Sequence, residues 1–172
     1  MLFRSEVSVE EQSFVLTLLQ EAIMATNAFR KKEGLVLKVD IESSLLQIEN
    51  LLSQIEPLEK ERLVMARNRL EQAIKELESK DLQNRLEQEL LFYMDKLDVS
   101  EEKIRLKSHV LYFRETMDCN ESSGKKLGFI VQEMGREINT LGSKSNHAVM
   151  QRIIVEMKNH LEKIKEQVQN VL

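Results

Sequence analysis

An all-α fold is the class this sequence predicts, on three observations. Only five Gly and one Pro occur in 172 residues, so helix breakers are scarce. Apolar residues recur at three- and four-residue steps, the period of a helix face packed on a core, with no strand-like alternation of useful length. Trp is absent and aromatics make up 5% of the chain, so aliphatic and methionine side chains dominate the expected core. The expected architecture is an elongated antiparallel helical hairpin over residues 1–78, followed by a shorter helical bundle over residues 79–172 that bears the polar motifs.

The elements follow in order. Ser8-Val9-Glu10-Glu11 reads as a capping box, the serine accepting from the first turn and the glutamate reaching back. It opens a helix to about residue 31, and Gly34 marks its end. A second helical stretch covers residues 35–55, and Pro57 opens a third toward residue 78, since proline suits a first helical turn. Asp81 is placed to cap a shorter helix carrying Arg85 and Glu89, and Ser100 to cap the next, which carries Arg105 and His109. Residues 119–124 read as a loop. A motif helix then runs to about residue 140, residues 142–146 connect, and Asn146 caps a last helix toward residue 172.

A formal net charge of −4 with 31% charged residues describes mixed surface charge rather than a polycation. Any nucleic-acid affinity must then come from local arrangement, such as a lined cleft. The lone Cys119 has no internal partner, which fits a reducing cytosol, and reads as an incidental thiol near a helix end. No apolar run approaches the ~20 residues a membrane span needs, and no signal-peptide core opens the chain. The expected location is the cytoplasm, with no membrane partner. His147 and His160 read as surface residues.

The motif helix is the most informative stretch. Leu127, Ile130, Met134, Ile138 and Leu141 line one side, and Gln132, Glu133, Arg136 and Thr140 gather on the other, with Glu137 at the margin. Glu133 and Glu137 are four apart and repel unless Arg136, an arginine from another helix, or a bound cation compensates. Phe129 falls on this polar face, suited to stacking a base or to touching another subunit. Gly124 to Lys126 and Gly142 to Lys144 do not fit a phosphate-loop pattern and read as turns. Lys144 can still pair with a phosphate, and Asn139 and Thr140 can donate hydrogen bonds to one.

Two further helices carry polar strips. Glu102, Arg105 and His109 lie within about 60° of one another, joined by Asp98 if the helix begins early, beside an apolar face of Leu106, Val110, Phe113 and Met117. A carboxylate and an imidazole at such a border can hold a divalent metal; alternatively they decorate a solvated helix. Arg85 and Glu89 can form a helix ion pair worth about 0.3 to 0.5 kcal/mol. On a functional reading Arg85 clamps phosphate with its planar fork, Glu89 is a metal or water partner, and Gln88 orients the ligand or the carboxylates.

The motif Gly124-Lys125-Lys126-Leu127-Gly128-Phe129-Ile130-Val131-Gln132-Glu133-Met134-Gly135-Arg136-Glu137-Ile138-Asn139-Thr140, together with residues 84–89 and 98–109, resembles the YicC-like endoribonuclease family of bacteria. Residues 28–34 and the closing helix also fit, and the resemblance runs from about residue 15 onward. It implies cleavage of RNA phosphodiester bonds, assisted by a divalent cation, magnesium or manganese. It also implies a ring-like or clamshell homo-oligomer, a hexamer on the family pattern, in whose cavity RNA meets Arg85, Gln88, Arg105, Gln132, Arg136, Asn139, Thr140 and Lys144. Glu89, Asp98, Glu102, His109 and Glu133 would surround the cation. His109, Glu102, Glu133 and Glu137 would carry catalysis, with His109 as ligand or as general acid or base. The family usually has an additional N-terminal α+β region, so a truncated copy is expected. The alternatives are a non-catalytic helical scaffold and an RNA-binding protein that does not cut.

Overall fold

The computed structural model describes residues 8–75, 80–119 and 123–171. They form five helices: α1 (Val9–Lys75), α2 (Lys80–Leu97), α3 (Ser100–Met117), α4 (Gly124–Lys144) and α5 (Ala148–Val168). The all-α class is borne out. Among the described residues no helix is long and apolar enough to cross a membrane. The chain divides into two units, Met1–Asp40 and Ile41–Leu172.

In the first unit the expected capping box is present. The Ser8 N–H donates to Glu11 Oε2 at 2.9 Å, and the Glu11 N–H donates to Ser8 Oγ at 3.2 Å. Phe14, Leu18, Leu19, Ile23, Phe29 and Val36 are exposed along this stretch.

The hairpin expected over residues 1–78 is not formed, because α1 continues through both Gly34 and Pro57. Gly34 takes no left-handed conformation and costs only about 1 kcal/mol within a helix. Pro57 removes the bond to the carbonyl of residue 53. What offsets that loss is register. Ile41, Leu45, Ile48, Leu52 and Ile55 are buried in the core, and Glu59 and Arg62 continue the same three- and four-residue steps as buried polar groups. A turn at Pro57 would take both off that seam.

The second unit buries this seam against three helices. α3 contributes Leu106, Val110 and the fully enclosed Phe113; α4 contributes Leu127, Ile130, Met134, Ile138 and Leu141; α5 contributes Met150, Ile154, Met157, Leu161 and Ile164. Each fully buried aliphatic side chain contributes about 1.5–3 kcal/mol. Charged pairs set α1 antiparallel to α3: Arg114 reaches Glu42 and Glu49, with Nη2 at 2.8 and 2.9 Å, Lys107 reaches Glu56 at 3.4 Å, and Lys103 pairs with Glu59. The hydrogen bonds from Glu49 and Glu42 hold the Arg114 guanidinium above its ordinary pKa.

Two expected caps are replaced by neighbours. Asp98, not Ser100, caps α3, its Oδ1 accepting from the Ser100 N–H at 2.9 Å. His147, not Asn146, caps α5, with Nδ1 accepting from the Met150 N–H at 3.4 Å. His147 is therefore a half-buried structural group rather than a surface one. The proposed Asp81 cap falls inside α2, where its side chain lies outside the described residues. The α4 helix starts at Gly124, where a Cβ would sit 2.5 Å from the Val171 carbonyl oxygen. Only glycine permits that approach.

Arg62 ties the bundle end together. Its Nη1 donates to the Lys144 carbonyl at 2.7 Å and its Nη2 to the Leu97 carbonyl at 2.5 Å, so one guanidinium closes the last turns of α4 and α2. Burial draws the Arg62 pKa below its ordinary value, opposed by nearby Glu59. Replacement by alanine leaves both carbonyls and Glu59 without this cation. Arg62→Ala is expected to cost about 2–4 kcal/mol, read as a lower urea midpoint with far-UV helicity retained in native buffer.

Candidate functional site

The polar residues of α3 and α4 meet along the interface between those helices. Glu102, buried on α3, accepts from Lys144 Nζ at 2.7 Å, while its second oxygen, Oε2, is buried with no hydrogen-bond partner among the described residues. The bond to Glu102 raises the Lys144 pKa against some desolvation. One turn on, Arg105 sits 2.5 Å from Glu101 and 4.0 Å from Glu137, which is itself buried. Glu133 is held by Arg136 at 2.7 Å. The repulsion expected between Glu133 and Glu137 is thus offset by two arginines, one from the same helix and one from α3.

His109 is half-buried on α3. It lies seven residues beyond Glu102, about 10 Å along the helix axis. Arg85, Gln88 and Glu89 are exposed on α2. Among the described residues no three His, Cys, Asp or Glu side chains gather closely enough to hold a metal ion. The five expected ligands therefore do not form one set within a chain. Glu102 turns to a lysine and Glu133 to an arginine, and Glu89 belongs to a helix that shares no close packing with α4.

A broad concavity lies between α4 and α5. It measures about 710 Å³ and is floored by Gly124, Gly128 and Gly135, which share one face of α4. At Gly128 a Cβ would meet nothing, so the helix backbone itself is open to a ligand. Gln132, Arg136 and Asn139 rise from α4, and Lys158, Lys165 and Gln169 face them from α5, with Glu162 the carboxylate of the lining. Arg136 is largely exposed, so its charge is available beyond its bond to Glu133. Thr140, by contrast, spends its hydroxyl on the Arg136 carbonyl at 3.0 Å. The groove offers cations and amides over bare backbone, a surface matched to an extended polyanion.

Lys158 and Lys165 were not among the residues expected from sequence. Their signal is present in the pattern: seven apart on α5, they flank Leu161 and so share the edge of its buried face. What the linear pattern lacks is the partner helix, and only packing places that edge opposite Arg136. Phe129 is exposed and does not line the groove. Cys119 is exposed and free.

Asp98 links the network to pH. Hydrogen bonds from Ser100 hold its carboxyl below the ordinary range. A carboxyl depressed in the folded state contributes stability above its unfolded value of about 3.9, and that contribution is lost as pH falls through the folded value. Asp98→Asn is therefore expected to be less stable than the parent at pH 7. The gap should narrow as pH falls below about 4, measured as urea midpoints across the acid range.

The chain matches the model of the family described as endoribonuclease YicC-like, C-terminal, over residues 55–172. It is 35% identical over 155 residues to a probable endoribonuclease YicC of Clostridioides difficile (strain 630), covering 88% of this chain and 53% of that protein. It is 40% identical over 87 residues to a probable endoribonuclease YicC of Haemophilus influenzae (strain ATCC 51907 / DSM 11121 / KW20 / Rd), covering 51% of this chain and 30% of that protein. The chain thus spans about half the length of the first of these relatives, and less of the second. With the family match running through α2 to α5 and both faces of α4, this chain belongs to the YicC-like endoribonuclease family.

Proposed function

We propose that the chain acts in endonucleolytic cleavage of RNA in the cytoplasm, with the RNA backbone lying in the α4–α5 groove. The observation that carries this reading is the groove itself. It gathers Gln132, Arg136 and Asn139, each expected from sequence to meet RNA, with Lys158 and Lys165, inside the segment that matches the family. Arg105 on α3 and Lys144 at the end of α4 are paired with carboxylates between those two helices, and Arg85 and Gln88 are exposed on α2.

In this reading the catalytic groups are His109, Glu102, Glu133 and Glu137, with His109 moving the proton because imidazole is the side chain that most often serves as general acid or base. Each glutamate already balances a cation. Phosphates entering the site compete for those cations, which frees carboxylate oxygen to orient His109 or a water. A divalent cation remains part of the proposal, supported by the family resemblance alone, and no step here depends on it. Assembly as a homo-oligomer, a hexamer on the family pattern, belongs to the same reading. A second reading, RNA binding without cleavage by this chain alone, is favoured by those same engaged carboxylates.

The groove is tested by Lys158→Glu with Lys165→Glu. The double variant should retain its helical spectrum, bind a single-stranded oligoribonucleotide at least about tenfold more weakly, and lose roughly one unit of salt slope. Unchanged binding removes RNA from the groove.

Cleavage is tested on a defined hairpin RNA with Glu102→Gln, His109→Ala and Glu133→Gln. Each should retain RNA binding and slow cutting by about 100-fold or more. RNA retained intact by the parent chain supports the binding-only reading. Cutting that persists after chelation removes the cation, and 2′,3′-cyclic phosphate ends identify the ribose hydroxyl as nucleophile.

A further inference from the structure

The bundle end where α2 and α4 finish and α5 begins holds a second concave region. Two adjoining hollows share Tyr93, Leu97 and Asn146. One, of about 410 Å³, is lined also by Arg62, Arg69 and His147. The other, of about 560 Å³, is lined also by Lys96, Lys144 and Ser145. Neither reaches the α4–α5 groove, with which they share no lining residue.

The chemistry of this cleft is weighted toward donors. Arg62, Arg69, Lys96 and Lys144 line it against a single carboxylate, Glu61. Lys144 is shared with Glu102 behind it, so the open positive charge comes chiefly from Arg69 and Lys96. The carbonyls at the ends of α2 and α4 are already occupied: those of Leu97 and Lys144 accept from Arg62, and those of Gly142 and Ser145 accept from Gln151 Nε2.

Two donors are left over. Arg62 Nε and Ser145 Oγ are buried and have no hydrogen-bond partner among the described residues, and the two residues are only 8% and 1% exposed. A buried donor without an acceptor costs about 1–3 kcal/mol. Two of them in the lining of a cationic cleft call for a ligand that brings acceptors. The cleft also borders the start of α5, whose first-turn N–H groups favour an anion. Tyr93, half exposed and shared by both hollows, supplies an aromatic surface beside it.

We infer that this cleft binds a phosphate group, either free or carried by RNA, with Tyr93 placed beside the attached nucleoside in the second case. The site stands independently of the cleavage reading, because binding of inorganic phosphate is measured without RNA turnover.

The test is amide and guanidinium NMR of the intact chain titrated with inorganic phosphate at constant ionic strength, with chloride as the control. The Arg62 Nε–H signal and the amides of Ser145, Asn146 and His147 should shift with phosphate and not with chloride. Combining Arg69→Glu with Lys96→Glu, both exposed positions outside the groove, should weaken phosphate binding by about tenfold or more. No shift, an equal shift with chloride, or undiminished affinity in the double variant overturns the proposal. Short oligoribonucleotides with and without a 5′-phosphate distinguish the sources. Shifts from both support a backbone phosphate, shifts from the phosphorylated form alone support a terminal one, and shifts from inorganic phosphate only support a free anion.

Discussion

The guanidinium of Arg62 is the constraint on which the second unit turns. Two helices end at the same place, and helix ends leave carbonyls without partners. Arg62 supplies one donor to each, joining the last turns of α2 and α4 to α1. That position is reachable only because α1 runs on through Pro57 in register. The loss of one backbone bond at proline is small beside the burial of a seam that begins at Ile41 and the satisfaction of two helix ends. The fold tolerates a local fault because the long-range contacts beyond it are worth more.

The same economy governs the charged residues of α3 and α4. Glu102, Glu133 and Glu137 carry the look of a ligand cluster when read along the chain, yet each has a cation beside it. Burying a carboxylate without a partner is costly, whereas pairing it in a packed interface fixes the register of two helices. On the proposed reading, a site assembled from such pairs is poised rather than open, and an incoming phosphate would exchange one anion for another at Lys144, Arg105 or Arg136. The acidic net charge is compatible with the proposed contacts, because the charged residues lining the groove and the cleft are mainly cations.

The two concavities divide the polar work of the molecule. The α4–α5 groove is floored by glycine and rimmed by Arg136, Lys158 and Lys165, suited to a backbone held without a fixed register. The cleft at the bundle end adjoins buried, directional donors, suited to one anion held in place. The core helices α4 and α5 border both.

Much of the fold was legible in the chain. The apolar sets Leu127 to Leu141 and Leu106 to Phe113 are buried as their spacing requires, since helical period alone decides which residues share a face. The Ser8 box likewise formed from a four-residue signal, because every group in it is local. The hairpin was misjudged for a physical reason: Gly34 costs little within a helix, and at Pro57 propensity is outweighed because residues before and after it continue one buried seam. The caps moved to nearby residues, Asp98 two before Ser100 and His147 one after Asn146, because neighbouring side chains compete for the same donors. Sequence by itself determined the helical class, the buried faces and the polar character of α4. Which cation balances each glutamate, the facing of Lys158 and Lys165 toward Arg136, and the closing of two helices by Arg62 were decided only by tertiary packing, since each joins residues that no periodic pattern connects.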